Sequence, residues 1–419
     1  MIFEEEQKTQ PIERMQVWEA FKRVKANGGS HGIDGMTIKE VTVNPRKHLY
    51  PLWNRMASGS YFPKAVRQKL IKKYDGTMRP LGIPTVIDRV AQQVIKDELE
   101  SIVDCQFSER SYGYRPNKSA HKAVEQCRAN CIKYSWAIDL DIKGFFDNIN
   151  HELLLKAVKQ FTDKKHILLY VERWLKVSVQ QTDGTLKDNE GKGTPQGGVI
   201  SPLLANIFLH FVFDMWFEKK YPENEYERYA DDIIVHSKNI KESLRMLETI
   251  KQRMKDCNLE LNQKKSRIVY CRRNQKRQPP FKPKYQKFDF LGFTFKPRNI
   301  IEHGKVKLGF TPAISSKSQK RIGEELFKLK IHRMVHLPIE KIAEILKLKI
   351  RGWINYFGKF RVSGMHEVFR VLNFRLARWV RNKYRRFRRR HWYWSYKCLQ
   401  EVWKDYPTLF VHWQYGFHP

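Results

Sequence analysis

The sequence is short of acids. Its 419 residues carry 79 Lys and Arg against 44 Asp and Glu, a formal charge of +35. That imbalance excludes an ordinary enzyme of small metabolites and points to a polyanionic partner, because each cation that neutralises a phosphate releases condensed counterions. Also missing is any apolar run near the roughly 20 residues that cross a bilayer, so no membrane partner is expected. The opening Met1-Ile2-Phe3-Glu4-Glu5-Glu6 is acidic where a signal peptide is basic, and a soluble cytoplasmic protein, associated with nucleoid or ribonucleoprotein, is the expectation. The six cysteines, Cys105, Cys127, Cys131, Cys257, Cys271 and Cys398, form no C-x-x-C pair. This argues against a zinc ribbon or a zinc-stapled nuclease module. There is no internal repeat.

What is present is length and aromatic surface. A chain of 419 residues exceeds one ordinary core, so two or three structural units are expected. The 11 Trp, 18 Tyr and 25 Phe are more than a merely basic scaffold protein carries, and they suit stacking on bases. An amphipathic helix is expected over Pro11 to Ala26, ended by Asn27-Gly28-Gly29-Ser30-His31-Gly32. Val66 to Ile83 reads as a hairpin turning at Tyr74-Asp75-Gly76-Thr77, and helical patterns follow over Thr85 to Val103 and Asn117 to Ile132. Next come a strand from Trp136 to Ile142, helices to about Val177, a polar hairpin at Thr182-Asp183-Gly184, and the loop Gly191 to Gly198. Ser201 as N-cap and Pro202 at the first helical position would open a long apolar helix, Leu203 to Phe217. A hairpin at Ala230-Asp231-Asp232, a helix from Lys241 to Asp256 and a strand pair from Phe288 to Phe295 complete the middle. Strands and helices interleave without regular βαβ spacing, which gives an α+β fold class. Residues 264 to 287 hold ten Lys or Arg and no acid, and read as a solvated linker or an RNA-contacting insertion. Helical patterns run from residue 312 to about 405, and a domain boundary is expected between Pro297 and Pro312.

Two carboxylate clusters carry the chemistry. The strand period of two puts Ala137, Asp139 and Asp141 on one face and Ile138, Leu140 and Ile142 on the other. Asp231 and Asp232 sit between a polar approach and an apolar strand, as at the tip of a tight hairpin. Like charges this close are costly unless a divalent cation neutralises them, and hard oxygen ligands suit Mg²⁺. Two such ions, roughly 3.5–4 Å apart, can activate a 3′-hydroxyl and stabilise leaving pyrophosphate. Alone, an Asp-Asp pair reads more often as a solvated turn.

The combination is recognisable. Tyr229-Ala230-Asp231-Asp232 resembles the Y-x-D-D signature of reverse transcriptases, and Asp141 to Phe146 resembles their first acidic motif, D-x-x-x-F-F. The resemblance implies Asp141, Asp231 and Asp232 as the catalytic acids, with Ile142 beside them among the ligands of two Mg²⁺ ions, for which Mn²⁺ could substitute. Asp139 is a further candidate that the sequence does not separate from Asp141. Phe146 falls where the family places the steric gate that excludes a ribose 2′-hydroxyl. The string Gly193 to Asn206 resembles the nucleotide-pocket motif almost residue for residue, with Gln196 and Gly197 at its centre. Lys73 and Arg79, in the hairpin Lys73 to Thr85, occupy the positions that contact the triphosphate. Lys264 or Lys265 is the implied proton donor to pyrophosphate, and Phe290, Leu291 and Gly292 resemble the primer grip.

Gly32-Ile33-Asp34-Gly35, Ser111 to Pro116, and Arg351-Gly352-Trp353-Ile354-Asn355-Tyr356-Phe357-Gly358 resemble the group II intron proteins, whose helical thumb doubles as a maturase domain. That resemblance implies a right-hand polymerase: an N-terminal extension over 1–65, fingers and palm over 66–300, a helical thumb over 301–395 and a short tail over 396–419. Its implied partners are an RNA template, a DNA primer and a group II intron RNA, bound as monomer or homodimer. Arg351, Trp353, Arg385, Arg386 and Arg389 are the expected RNA contacts; Arg375 to Arg390 interleaves nine basic residues with Trp379, Tyr384 and Phe387. Beyond residue 391 no paired Cys and His set for a zinc-associated endonuclease is visible, so target cleavage by such a module is not expected. Two other readings stay open: a free-standing relative acting in phage defence, repair or spacer acquisition, and an RNA-binding splicing cofactor without polymerase activity.

Overall fold

The computed structural model describes residues 10–72, 76, 78–194, 197–273, 282–302 and 304–419. They fall into two compact units, one of Met1–Ala123, Leu140–Val235 and Lys241–Arg267, the other of Val124–Asp139, His236–Ile240 and Ile268–Pro419. The described strands are β1 (Val66–Lys72), β2 (Met78–Ile83), β3 (Trp136–Asp141), β4 (Val179–Gln180), β5 (Leu186–Lys187), β6 (Tyr226–Tyr229), β7 (Asp232–Ser237), β8 (Arg267–Tyr270), β9 (Phe288–Phe290), β10 (Phe293–Glu302) and β11 (Lys305–Ile314). They form sheets in the orders β2-β1-β4-β5, β6-β7-β3-β8 and β11-β10-β9. No helix among the described residues is long and apolar enough to cross a membrane.

In the first unit the expected hairpin is present, with β1 and β2 antiparallel from Arg67↔Ile83 to Lys72↔Met78. The outer half of β1 is exposed, so its basic residues face solvent. The helix Val86–Val103 starts where the Thr85 hydroxyl accepts from the Asp88 amide, and it buries much of its length. The N-terminal helix, Arg14–Asn27, buries Val17, Ala20, Phe21 and Val24. The glycine-rich segment after it is held by Arg89, whose guanidinium donates to the Gly28 and Ser30 carbonyls at 3.2 and 2.6 Å. Asn27 to Gly35 is therefore a packing motif against the helix that bears Arg89.

The apolar helix departs from expectation. It spans Ser201–Leu209, with Ile200 at the N-cap and Ser201 already inside the first turn. It then widens into a π-helical stretch, His210–Asp214, before resuming as Met215–Lys220. Ile200 has no side-chain acceptor and so makes no cap hydrogen bond; its amide, like that of Val199, donates to Gln92 Oε1 and ties the helix start to the helix Val86–Val103.

In the second unit β10 pairs with β11 without interruption from Phe293↔Ile314 to Glu302↔Lys305. The span expected to hold a domain boundary, 297–312, lies inside this hairpin; alternating strand residues there bury Phe295 and Phe310. The expected linker likewise contains β8, while residues 274–281 lie outside the described residues. Helices Ser316–Lys328, Ile339–Phe357, His366–Lys383 and Trp392–Asp405 follow. The C-terminal residues fold back onto the third of these: Asn373 Nδ2 donates to the Phe417 carbonyl at 2.9 Å, and Trp413 Nε1 donates to Asn373 Oδ1 at 3.2 Å.

Candidate active site

The site is built on a two-residue turn. Strands β6 and β7 pair from Tyr226↔Val235 to Tyr229↔Asp232, leaving Ala230 and Asp231 as the loop. Positive φ at the first loop position suits the twist of a tight hairpin, and Ala230 adopts it at φ 54°. For a residue with a Cβ this costs roughly 1–2 kcal/mol, so the surroundings must hold the turn. Ile233, Ile234 and Val235 are all buried, anchoring β7 on both faces, while Asp231 is half-buried and Asp232 exposed at the tip.

Asp141 is the last residue of β3, after buried Ala137, Ile138 and Leu140; Asp139 lies two positions back and half-buried. The strand end is clamped by residues 261–266. The Asn262 amide donates to the Asp141 carbonyl at 2.7 Å, the Asp141 amide donates to Ser266 Oγ at 3.1 Å, and Ile142 bridges to Leu261. That clamp delivers Lys265, whose Nζ lies 3.4 Å from Asp141 Oδ1. Lys264 is exposed and donates its amide to Asn262 Oδ1.

Electrostatics tie these groups together. Burial raises the Asp231 carboxyl above the usual range and the Asp141 charge pushes the same way, while Arg79 and Lys265 pull it back. Two carboxylates from distant parts of the chain and two cations, one of them on β2, therefore act on one another within the first unit. The acids offer hard oxygen donors whose ionised forms burden each other, the donor set a divalent cation relieves. Their oxygens are not gathered three at a time within 4.8 Å among the described residues. Magnesium keeps several waters in its shell, so a looser set still fits it.

Phe146 lies in the short helix Phe145–Asn148. The Thr194 amide donates to the Phe146 carbonyl at 2.8 Å, the Gly193 amide donates to the Ile149 carbonyl at 2.8 Å, and a His151 ring nitrogen meets the Gly193 carbonyl at 2.6 Å. The start of the pocket motif is thereby fastened to the helix that bears Phe146. Gly197 sits at φ 119°, and a Cβ there would fall 2.4 Å from the Gly82 carbonyl oxygen, so only glycine lets this loop approach β2. A cavity of about 360 Å³ opens between Gln68, Gly82, Asp147 and Thr194. Lys73 and Gln196 lie outside the described residues.

The second unit holds the other expected groups. Phe290 is buried, and the turn at Leu291 and Gly292 is held by Tyr356 Oη donating to the Leu291 carbonyl at 2.9 Å and the Ser315 amide donating to the Gly292 carbonyl at 2.9 Å. Tyr356 belongs to the Arg351–Gly358 motif, which gives that motif a structural task. Arg351, Arg385, Arg386 and Arg389 are exposed and Trp353 is half-buried. Of the interleaved aromatics Tyr384 is exposed, edge-on to Trp379 and Phe387, whereas Trp379 and Phe387 are core residues, because they lie on the inner face of their helices. The exposed aromatics stand further on, at Trp392, Tyr393 and Trp394.

Sequence reasoning missed the groups around the turn. Gly113 packs so close that a Cβ would fall 2.5 Å from the Ala230 nitrogen. Arg228 and Asp214 form a fully buried ion pair just behind it. The signal for the pair in the sequence is Asp214, one of three polar residues with Asn206 and His210 in the apolar stretch Leu203 to Phe217.

Comparison with known proteins agrees with this geometry. Residues 71–295, more than half of the chain, match the family model described as reverse transcriptase (RNA-dependent DNA polymerase). The chain belongs to the reverse transcriptase family. Residues 319–397 match a second model, described as the group II intron, maturase-specific domain. Among curated relatives, this reverse transcriptase is 34% identical over 211 residues to protein YkfC of Escherichia coli, covering 48% of this chain and 54% of that one. It is 36% identical over 203 residues to the group II intron-encoded protein LtrA of Lactococcus lactis, covering 46% and 33%. A putative COX1/OXI3 intron 1 protein of Saccharomyces cerevisiae is 32% identical over 199 residues, covering 48% and 24%. The alignments thus span about half or less of the length of these relatives. The α+β architecture with a helical C-terminal region is the one the family match implies.

Proposed function

We propose that this reverse transcriptase adds deoxynucleotides to a primer 3′-hydroxyl on an RNA template, and that it also binds a group II intron RNA as a splicing maturase. The observation that carries the first part is that Asp141, with Lys265 Nζ 3.4 Å from its carboxylate, ends a strand in the same unit as the two-residue turn that bears Asp231 and leads into Asp232. Asp141, Asp231 and Asp232, with the backbone at Ile142, would hold two Mg²⁺ ions. Bound there, the ions lower the pKa of the attacking hydroxyl and neutralise the departing pyrophosphate.

The chain's own groups do the rest. Arg79, on the exposed arm of the β1–β2 hairpin, offers a planar donor fork to the triphosphate, and Lys73 would add a point charge to the same group. Phe146, whose backbone carbonyl accepts from the Thr194 amide, would act as the steric gate against a 2′-hydroxyl. Lys265 is the lysine in reach of Asp141, and this reading makes it the proton donor to pyrophosphate. The maturase part is supported by the match over 319–397 and by the exposed arginines at 385, 386 and 389. A charge of +35 supplies the sequence-independent attraction to RNA.

Primer extension on poly(rA)/oligo(dT) by the purified chain tests the reading. Asp231→Ala with Asp232→Ala should abolish synthesis, and synthesis that persists unchanged would remove the catalytic assignment. The same variant should still support splicing of its intron RNA, because maturation on this reading needs binding alone. Loss of splicing with intact RNA binding would count against that.

A further inference from the structure

We propose that Asn206, Asp214 and Arg228 are positioning residues that set the Ala230-Asp231-Asp232 turn at the height a divalent cation requires. The inference rests on the polymerase reading for what that cation does. All three side chains are wholly buried in the first unit. Arg228 Nε donates to Asp214 Oδ1 at 2.8 Å and its Nη2 donates to Asp214 Oδ2, a two-pronged pair that satisfies the carboxylate. The remaining nitrogen, Nη1, donates to Asn206 Oδ1 at 2.8 Å and to the carbonyl of Ala230 at 3.3 Å. Asn206 in turn donates Nδ2 to the Gly113 carbonyl at 2.7 Å.

The two backbone carbonyls reached in this way belong to the two pieces of chain that meet at the turn. Ala230 is the left-handed residue of the loop. Gly113 is the residue whose backbone abuts it, leaving no room for a Cβ against the Ala230 nitrogen at 2.5 Å or the Tyr229 carbonyl carbon at 3.0 Å. Arg228 also ties the two pieces through its own backbone. Its carbonyl accepts from the Tyr112 amide at 2.8 Å, and its amide donates to the Arg110 carbonyl at 2.9 Å. One residue thus fastens residues 110–113 to β6 and, through its side chain, supports the turn that β6 leads into.

The π-helical stretch supplies an independent observation. On a regular α-helix, residues eight apart, as Asn206 and Asp214 are, point about 80° away from each other. The wider turn at His210–Asp214 absorbs one extra residue. That brings the pair to within roughly 20° of a common face, where both meet the same guanidinium. A buried ion pair as such adds little stability over apolar residues of the same size. Here the distortion of the helix and the use of every Asn206 polar atom go to hold two backbone oxygens beside the acids.

Asn206→Leu in the full chain is the test, since it keeps the size and the Arg228–Asp214 pair but removes both amide bonds. Mn²⁺ binding is read by electron paramagnetic resonance with primer–template present, and nucleotide addition by single-turnover kinetics. The expected result is a Mn²⁺ midpoint raised, and a rate lowered, by on the order of 10-fold or more, as for other residues that orient metal ligands. Primer–template affinity should not change. Asn206→Asp, which keeps the acceptor for Arg228 and loses the donor to Gly113, should shift both in the same direction and stands in if the leucine variant does not fold. A lowered melting temperature with parental Mn²⁺ midpoint and parental rate would overturn the proposal and leave the network a structural pair. If the parent binds Mn²⁺ but makes no DNA, the polymerase reading fails while the Mn²⁺ midpoints of the variants still decide the role of the network.

Discussion

Gly113→Ala adds one methyl group at the closest approach in the site. The new Cβ would lie 2.5 Å from the Ala230 nitrogen, 3.0 Å from the Tyr229 carbonyl carbon and 3.2 Å from Tyr229 Cδ1. Two of these atoms are backbone and cannot swing aside. Non-bonded carbon prefers about 3.5 Å, so one side must retreat by about 1 Å. Gly113 is not among the positive-φ glycines, so alanine brings no dihedral penalty and the effect is purely steric. Residues 110–113 are tied down through Tyr112, Arg110 and Asn206, so the two-residue turn is the part that yields. Displacing reacting groups by about 1 Å costs on the order of 10²-fold in rate. Rapid-quench measurement of one nucleotide addition, at saturating nucleotide and Mg²⁺, should show that loss, with primer–template affinity by anisotropy unchanged. A variant with the parental rate would refute the claim that the turn's position is set by this contact.

Other perturbations separate the contributions further. Asp231→Asn removes an acid whose pKa is raised by burial and by Asp141. Its ionised form weakens the metal-free fold as pH rises through that raised pKa, so in EDTA at neutral pH the variant should be more stable, by about 0.5–2 kcal/mol, the usual range for one stabilising substitution, while making no DNA; a lower melting temperature would contradict this. Burial pushes the Asp88 carboxyl up to about 6. The folded chain therefore binds a proton that the unfolded chain has released between about pH 4 and 6, and stability should fall across that window as pH rises, by about 3 kcal/mol. Denaturant titrations of Asp88→Asn should be flatter over the same range, and parallel curves would reject the assignment. Phe146→Val should raise incorporation of ribonucleotides relative to deoxynucleotides in competition assays, and unchanged selectivity would remove Phe146 from the pocket wall.

The parts of this structure that were legible in the sequence are those with a short-range period. The alternation around Asp141 and the apolar run after Asp232 define β3 and β7, and the two-residue spacing defines the turn. The pocket and hairpin motifs are contiguous, so they could be read as strings. The π-helical stretch could not be, because Leu203 to Phe217 has the same apolar character whether the helix is regular or widened. Arg228 looked like a polar approach to the acids, yet it is the most deeply buried cation near them; its partner Asp214 lies fourteen residues back. The basic run at 375–390 read as interleaved aromatics and arginines, but composition does not say which side of a helix faces inward, and Trp379 and Phe387 went to the core. The charge of the 264–287 stretch masks the short alternation of the four-residue strand β8.

The order in which the chain visits its two units constrains how this protein can be cut. It passes from one to the other between Ala123 and Val124, between Asp139 and Leu140, on either side of 236–240, and again after Arg267. No single scission therefore yields two complete pieces: a fragment ending at Arg267 would carry 124–139 and 236–240 without the rest of their unit, Ile268–Pro419. Buried Cys131 and Trp136 would lose Cys271 and Tyr270, which they meet in the whole chain, and such newly exposed apolar surface makes the fragment prone to aggregate rather than to stand as a minimal enzyme.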